Sequence, residues 1–332
     1  MGEFDLIARY FKRPARHAAL GVGDDCALLQ PRPHTQMAIS SDMLVSGRHF
    51  FADTDPFKLG HKALAVNLSD LAACGARPLA FTLALSLPSA DETWLAPFSQ
   101  GLLALADAHG CELIGGDTTA GPLNICITVF GEVPVLAGRS QALLRSGARP
   151  GDDIYVSGTL GDARLALDAL LGKLTLPSDL LATSRVRLET PTPRVALGLA
   201  LRGVASAAID VSDGLLGDLG HILESSAVGA TVQADIAIEL IAAYPYIKRA
   251  IGQFGLQLSI NQWRALALAG GDDYELLFTA PPALRDAVAQ AGLASQTPVT
   301  RIGQINAEPG LKLLDSQGKP LDNSYASFDH FA

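Results

Sequence analysis

Arg145-Ser146-Gly147-Ala148-Arg149-Pro150-Gly151-Asp152 divides the chain. Charge, glycine and proline are mixed there between two apolar segments, which is the pattern of a boundary rather than of a strand or helix. On either side of it, residues 1–147 and 148–332 each read as one domain. On the N-terminal side a short amphipathic helix is expected over 3–13. Strands follow over 28–30 and 36–41, around Pro31-Arg32-Pro33. Apolar residues recurring at three and four predict a helix over 56–74. A strand over 79–87 comes next, then a helix capped by Asp91 and stopped by Gly110. Strands over 111–114 and 123–133 flank a Gly115-Gly116-Asp117 turn. On the C-terminal side strands are expected over 153–157, 207–211, 230–236, 274–280 and 299–305. Helices are expected over 161–171, 193–202, 215–225 and 261–269, and 172–190 reads as a loop with one helical piece. Several strands adjoin without a helix between them. That favours two α+β or mixed α/β domains over a doubly wound parallel sheet.

The 332 residues suffice for two domains of ordinary size. The 25 Lys and Arg against 34 Asp and Glu give a net charge of −9, which argues against nucleic acid or anionic membranes as partners. Arg9, Lys12, Arg13 and Arg16 form the densest basic patch and read as a solvated helix face. The apolar run over 63–87 is broken by Asp70, Arg77 and Pro78, so no segment spans a bilayer. Cys26, Cys74, Cys111 and Cys126 lack metal-ligand spacing, and the N-terminus has no apolar signal core. Reduced, buried thiols in a cytoplasmic protein are expected, with Cys26 placed in an apolar strand.

Six short acidic clusters carry the chemistry: Gly23-Asp24-Asp25, Ser40-Ser41-Asp42, Ser69-Asp70, Gly115-Gly116-Asp117, Asp210-Val211-Ser212-Asp213-Gly214 and Gly270-Gly271-Asp272-Asp273-Tyr274. Converging carboxylates repel unless a cation lies between them. Oxygen ligands without His or Cys suit Mg²⁺ or Mn²⁺. Neighbouring glycines let backbone N–H groups approach a polyphosphate. Each cluster taken alone reads first as a turn or cap, and the case rests on their number. Asp70 is different. It sits inside an apolar helix that continues through Leu71-Ala72-Ala73, where a cap is no explanation and an unpaired carboxylate is costly. At Asp210–Gly214 a strand-to-helix junction can attract an anion, and N-capping accounts for one Asp but not both. Arg145 reads either as a phosphate contact or as a solvated linker residue, and His49 either as a substrate contact or as structural. There is no G-x-x-x-x-G-K-[ST], no H-R-D or D-F-G set, no G-x-S-x-G and no H-E-x-x-H. The clusters therefore read as a Mg-nucleotide enzyme without the usual phosphate loop. A non-catalytic Ca²⁺ module is the contrasting possibility, but the spacing is not that of an EF-hand.

The chain resembles the thiamine-monophosphate kinase family, within the superfamily of aminoimidazole ribonucleotide and selenophosphate synthetases. The resemblance is carried by Gly2-Glu3-Phe4, Gly23-Asp24-Asp25, Asn67-Leu68-Ser69-Asp70-Leu71-Ala72-Ala73, Gly115-Gly116-Asp117-Thr118-Thr119, Ile209-Asp210-Val211-Ser212-Asp213-Gly214-Leu215, Gly270-Gly271-Asp272-Asp273-Tyr274-Glu275-Leu276 and Phe328-Asp329-His330-Phe331. It implies transfer of the γ-phosphoryl group of ATP to thiamine monophosphate. It implies that Asp25, Ser40, Ser41, Asp42, Asp70, Asp117, Asp210 and Asp213 hold several Mg²⁺ ions, with Asp42, Asp70, Asp117 and Asp210 catalytic. Gly116, Asp117, Arg145 and Ser212 are implied to contact ATP, and His49, Asp272 and Tyr325 to face the thiamine substrate. It also implies a homodimer whose N-terminal domains share a β-barrel. Asp272 stands where the family usually has Glu, and Ser41 where Thr is common.

Overall fold

The computed structural model describes residues 2–249 and 258–325. The chain forms two compact units, one of Met1–Leu71 with Ala76–Ala142, the other of Ala72–Gly75 with Leu143–Ala332.

In the first unit the order is α1 (Glu3–Tyr10), β1 (Thr35–Val45), α2 (Pro56–Ala73), β2 (Arg77–Leu87), α3 (Glu92–His109), β3 (Glu112–Ala120), β4 (Asn124–Leu136) and β5 (Arg139–Ser140). The sheet order is β1-β4-β2-β3, with β5 paired to β4. Only β2 and β3 run parallel, joined through α3, as a crossover requires. Asp91 caps α3 by accepting from the Thr93 N–H, and Gly110 closes it in the left-handed conformation, as its sequence predicts. Leu83, Leu85, Ile125, Ile127 and Val129 are buried, while their alternates Thr82, Ala84, Ser86 and Thr128 are half-buried or exposed. On the exposed face β1 presents Ile39, Ser41 and Met43. Among the described residues this sheet is open, with β1 and β3 as its outer strands. Part of the basic patch is committed: Arg9 pairs with Glu92 and Arg13 with Asp107, both on α3.

The second unit contains β6 (Asp153–Ser157), α4 (Asp162–Leu170), α5 (Ser178–Glu189), α6 (Val195–Ala200), β7 (Ala207–Asp210), α7 (Leu215–Ser226), β8 (Gly229–Gln233), α8 (Ala234–Glu239), α9 (Tyr244–Arg249), α10 (Ile260–Ala269), β9 (Leu276–Ala280), α11 (Arg285–Ala294), β10 (Val299–Asn306), β11 (Gly310–Leu314) and β12 (Pro320–Leu321). Its sheet, β12-β11-β8-β10-β6-β9-β7, is antiparallel except for β8 with β11. Ile154, Val156, Ile209, Leu219, Ile222 and Leu268 lie in its core.

Several elements differ from the sequence reading. Residues 28–30 form no strand, only a bridge between Leu20 and Leu28. The strand expected over 36–41 runs on to Val45 because β4 pairs with it throughout, so Ser40-Ser41-Asp42 lie in mid-strand. Gly115-Gly116-Asp117 is not a turn but part of β3, beside a register shift against β2. The strand over 230–236 yields to α8 at Ala234. Cys26 is exposed and outside any strand, Cys74 and Cys126 are half-buried, and Cys111 alone of the four is buried.

The crossing of α2 and α3 depends on Gly101. A Cβ there would lie 1.9 Å from the Phe57 carbonyl oxygen. Alanine improves helix propensity by about 1 kcal/mol. Overpacking backbone against backbone costs about 1–3 kcal/mol and outweighs that gain. Gly101→Ala should therefore lower stability by up to about 2 kcal/mol, read from the urea midpoint.

Candidate active site

In the first unit, α2 presents Asn67 and Asp70, three residues apart and so on one helix face, to β1. Asp70 Oδ2 accepts from Ser40 Oγ at 2.5 Å. Asn67 Oδ1 accepts from the Asp42 N–H at 3.1 Å, and Asn67 Nδ2 donates to the Ala63 carbonyl at 3.0 Å. Ser40 and Asp42 alternate along β1 and share a face. Ser41 points the other way and bonds to the Ile127 carbonyl and Thr128 Oγ1. Asp70 is half-buried between fully buried Ser69 and Leu71, and its Ser40 bond is the partner that such a carboxylate requires. His49 Nδ1 accepts from the Val45 N–H at 3.0 Å, which puts the proton of the neutral ring on Nε2.

A cleft of about 590 Å³ brings two distant motifs together. Gly23-Asp24-Asp25 and Gly115-Gly116-Asp117 line it, with Phe4 and Ile7 of α1 and the C-cap residue Phe11 also lining it. Asp24 Oδ1 accepts from the Asp25 N–H at 2.9 Å. Gly116 has φ +146°, and a Cβ on it would lie 1.8 Å from the Leu83 carbonyl oxygen. No other residue fits against Leu83, and Gly116 is exposed where it lines the cleft.

In the second unit β7 ends at buried Asp210, and Val211-Ser212-Asp213-Gly214 leads into α7. The anion expected at this helix start comes from the helix itself. Asp218 Oδ2 accepts from the N–H groups of Ser212, Asp213 and Gly214 at 3.0, 3.2 and 3.2 Å. The Gly270–Tyr274 turn lies against the same loop: the Asp272 N–H donates to the Ser212 carbonyl and the Tyr274 N–H to the Val211 carbonyl, each at 2.8 Å. Asp272 is half-buried and accepts from Tyr274 Oη at 3.1 Å. Arg145 is exposed, and its carbonyl accepts from Ser226 Oγ. Tyr325 packs, partly buried, against the domain core. Phe328-Asp329-His330-Phe331 lies outside the described residues.

The donors at these clusters are oxygens, which suits a hard divalent cation, and Gly116 brings exposed backbone to the cleft. Among the described residues no three His, Cys, Asp or Glu side chains stand close enough to hold a metal. No helix among them is long and apolar enough to cross a membrane.

Two family models match: the N-terminal domain of AIR synthase related proteins over residues 23–133 and the C-terminal domain over 149–316. Thiamine-monophosphate kinase of Salmonella typhimurium is 47% identical, across all of this chain and 98% of that one. The chain belongs to the thiamine-monophosphate kinase family. As a member it is an enzyme, a phosphotransferase. The crystal structure of thiamine-monophosphate kinase from Stenotrophomonas maltophilia K279a superposes with a TM-score of 0.80 at 47% identity, covering 96% of both chains. The structure of AaThiL complexed with AMPPCP and TMP superposes with a TM-score of 0.73 at 27% identity, covering 91% of this chain and 89% of that one.

Within this thiamine-monophosphate kinase fold, sequence reasoning missed Asn67, Asp218 and Glu275 as site-shaping residues. Asp218 carries a signal, an acid in the first turn of a helix after glycine. Glu275, a charge entering the apolar run Leu276-Leu277-Phe278, carries another.

Burial, with the Asp213 charge adding to it, raises the Asp218 carboxyl to about 7, against the pull of its three N–H donors. An unfolded Asp titrates near 3.9. Between about pH 4 and 7 the folded chain therefore holds a proton that the unfolded chain has released, and stability falls as pH rises through that window, by at most about 1.4 kcal/mol per unit. In metal-free protein, Asp218→Asn should flatten this slope, measured by urea unfolding at pH 4.5, 6 and 7.5 — values of about this spacing bracket the window.

Proposed function

We propose that this enzyme transfers the γ-phosphoryl group of ATP directly to the phosphate of thiamine monophosphate, giving thiamine diphosphate. The observation that carries the reading is the cleft in which Gly23-Asp24-Asp25 and Gly115-Gly116-Asp117 come together over an exposed glycine backbone. The AMPPCP and TMP bound by the relative at 27% identity support the same substrates. Gly116, Asp117, Arg145 and Ser212 contact ATP in this proposal. His49, Asp272 and Tyr325 face the thiamine moiety. Asp25, Ser40, Asp42, Asp70, Asp117, Asp210 and Asp213 would hold several Mg²⁺ ions, with Asp42, Asp70, Asp117 and Asp210 closest to the chemistry, while Ser41, on the opposite face of β1, drops out of the set. Bound Mg²⁺ would supply neutralisation of the phosphate charge.

The acceptor is a phosphate oxygen already ionised near neutral pH, so the protein need not supply a strong base. Its work is to align donor and acceptor oxygens in line and to exclude competing geometries. The open sheet face with Ile39 and Met43, 63% and 53% exposed, supports a homodimer in which two such sheets form a shared barrel. The acidic balance and reduced cysteines support a cytoplasmic enzyme.

Incubation with Mg-ATP and thiamine monophosphate should yield thiamine diphosphate, with inversion at the transferred phosphorus. Net retention or a trapped phosphorylated residue would overturn direct transfer. Asp70→Asn should abolish turnover while leaving the circular dichroism spectrum unchanged. An active Asp70→Asn enzyme would reduce Asp70 to a structural partner of Ser40.

A further inference from the structure

Glu275 is fully buried, at 0% exposure, at the head of β9. Its carboxylate accepts from Arg194 Nε and Nη2, each at 2.6 Å, from Arg187 Nη2 at 2.7 Å and from Ser157 Oγ at 2.6 Å. The Thr159 N–H adds a fifth donor at 3.3 Å. Space for this carboxylate exists because residue 158 is glycine: a Cβ there would lie 2.1 Å from Glu275 Oε1. Arg187 Nη2 also donates to the Asp273 carbonyl at 2.9 Å. Taking three charged groups out of water is expensive, and apolar residues of the same volume are often at least as stable. Stability alone is thus a poor reason for this arrangement. Specifying one backbone conformation is a better one.

The backbone beside it needs such specification. Asp272 and Tyr274 have φ +60° and +49°, in the left-handed region that non-glycine residues avoid. Such conformations persist where the surroundings over-determine them, and they gather at functional sites. Between them Asp273 is buried, its Oδ1 accepting from the Gly161 N–H at 2.8 Å. The Val211 N–H donates to the Glu275 carbonyl at 2.8 Å, which continues the pairing that holds Asp272 against Ser212.

We infer that Glu275, clamped by Arg187 and Arg194, is a positioning residue that holds the 272–274 backbone in its left-handed turn and so aims the Asp272 side chain at thiamine monophosphate. Glu275 acts through Asp272 and is given no contact with substrate. The inference rests on the proposed role of Asp272, and the test separates the two.

The experiment is steady-state kinetics on full-length Glu275→Gln, Ser157→Ala, Asp272→Ala and the Asp272→Ala/Glu275→Gln double variant, below the melting temperature of each. Glu275→Gln keeps the shape and removes the charge. It should raise KM for thiamine monophosphate roughly tenfold or more while KM for ATP moves less than about twofold. Ser157→Ala, which removes one donor, should shift the same constant in the same direction by a smaller factor, and it decides the matter if Glu275→Gln does not fold. In the Asp272→Ala background, Glu275→Gln should add little, because the two act through one contact. A lowered melting temperature with KM for thiamine monophosphate unchanged would overturn the inference, as would equal rises in both KM values or full additivity in the double variant. If Asp272→Ala itself leaves KM for thiamine monophosphate unchanged, the role given to Asp272 fails, and the inference falls with it.

Discussion

A carboxylate withdrawn from water must be met by donors or by a cation, and much of this structure follows from how each acid is met. Asp70 takes the Ser40 hydroxyl, Asp218 takes three backbone N–H groups at the start of α7, and Glu275 takes two arginines. Two of these solutions tie together segments distant in sequence, α2 to β1 and α5 to the head of β9, while the third closes the end of β7 onto the first turn of α7 a few residues later. Asp24, Asp25 and Asp117, from two of the acidic motifs, are exposed and line one cleft.

Close backbone approach is the second constraint, and it serves both packing and chemistry. Gly101 lets α3 pass the Phe57 carbonyl, and Gly116 lets β3 lie on Leu83 where it lines the cleft. A side chain at either point would collide with backbone, which cannot rotate away as a rotamer can. The register shift between β2 and β3 next to Gly116 belongs to the same device, since a bulge re-aims the residues that follow it. It sets Asp117 beside the Gly23-Asp24-Asp25 segment, more than ninety residues earlier, across the cleft.

Much of the architecture was legible because it is written locally. The Asp91 cap and the Gly110 stop define α3 through bonds made within a few residues, so pattern reading and structure agree there. The helix over 56–74 and the strand at Asp153–Ser157 follow from periodicity in the same way. The failures are equally physical. Ser40-Ser41-Asp42 read as the end of a strand because polar residues follow an apolar run, yet β4 supplies partners as far as Val45. Gly115-Gly116-Asp117 read as a turn because glycine pairs usually are, and only the neighbouring β2 makes it a strand. Alternation along β1 then separates Ser41 from Ser40 and Asp42, which no count of acidic motifs could reveal.

By itself the sequence determined the two mixed α/β domains, the acidic motifs and the family, since these depend on local propensity and on residue types at fixed spacing. The oddity of Asp70 within an apolar helix was visible there too. Tertiary structure alone decided which carboxylates are met internally and which face the cleft. It decided that Asp218 fills the helix start that seemed open to a ligand, and that Glu275 with its two arginines holds the left-handed turn carrying Asp272. Glu275 meets arginines more than eighty residues earlier in the chain, and even the short Asp218 contacts depend on how β7 delivers its loop into α7, so the geometry of these meetings is set by packing rather than by any local pattern.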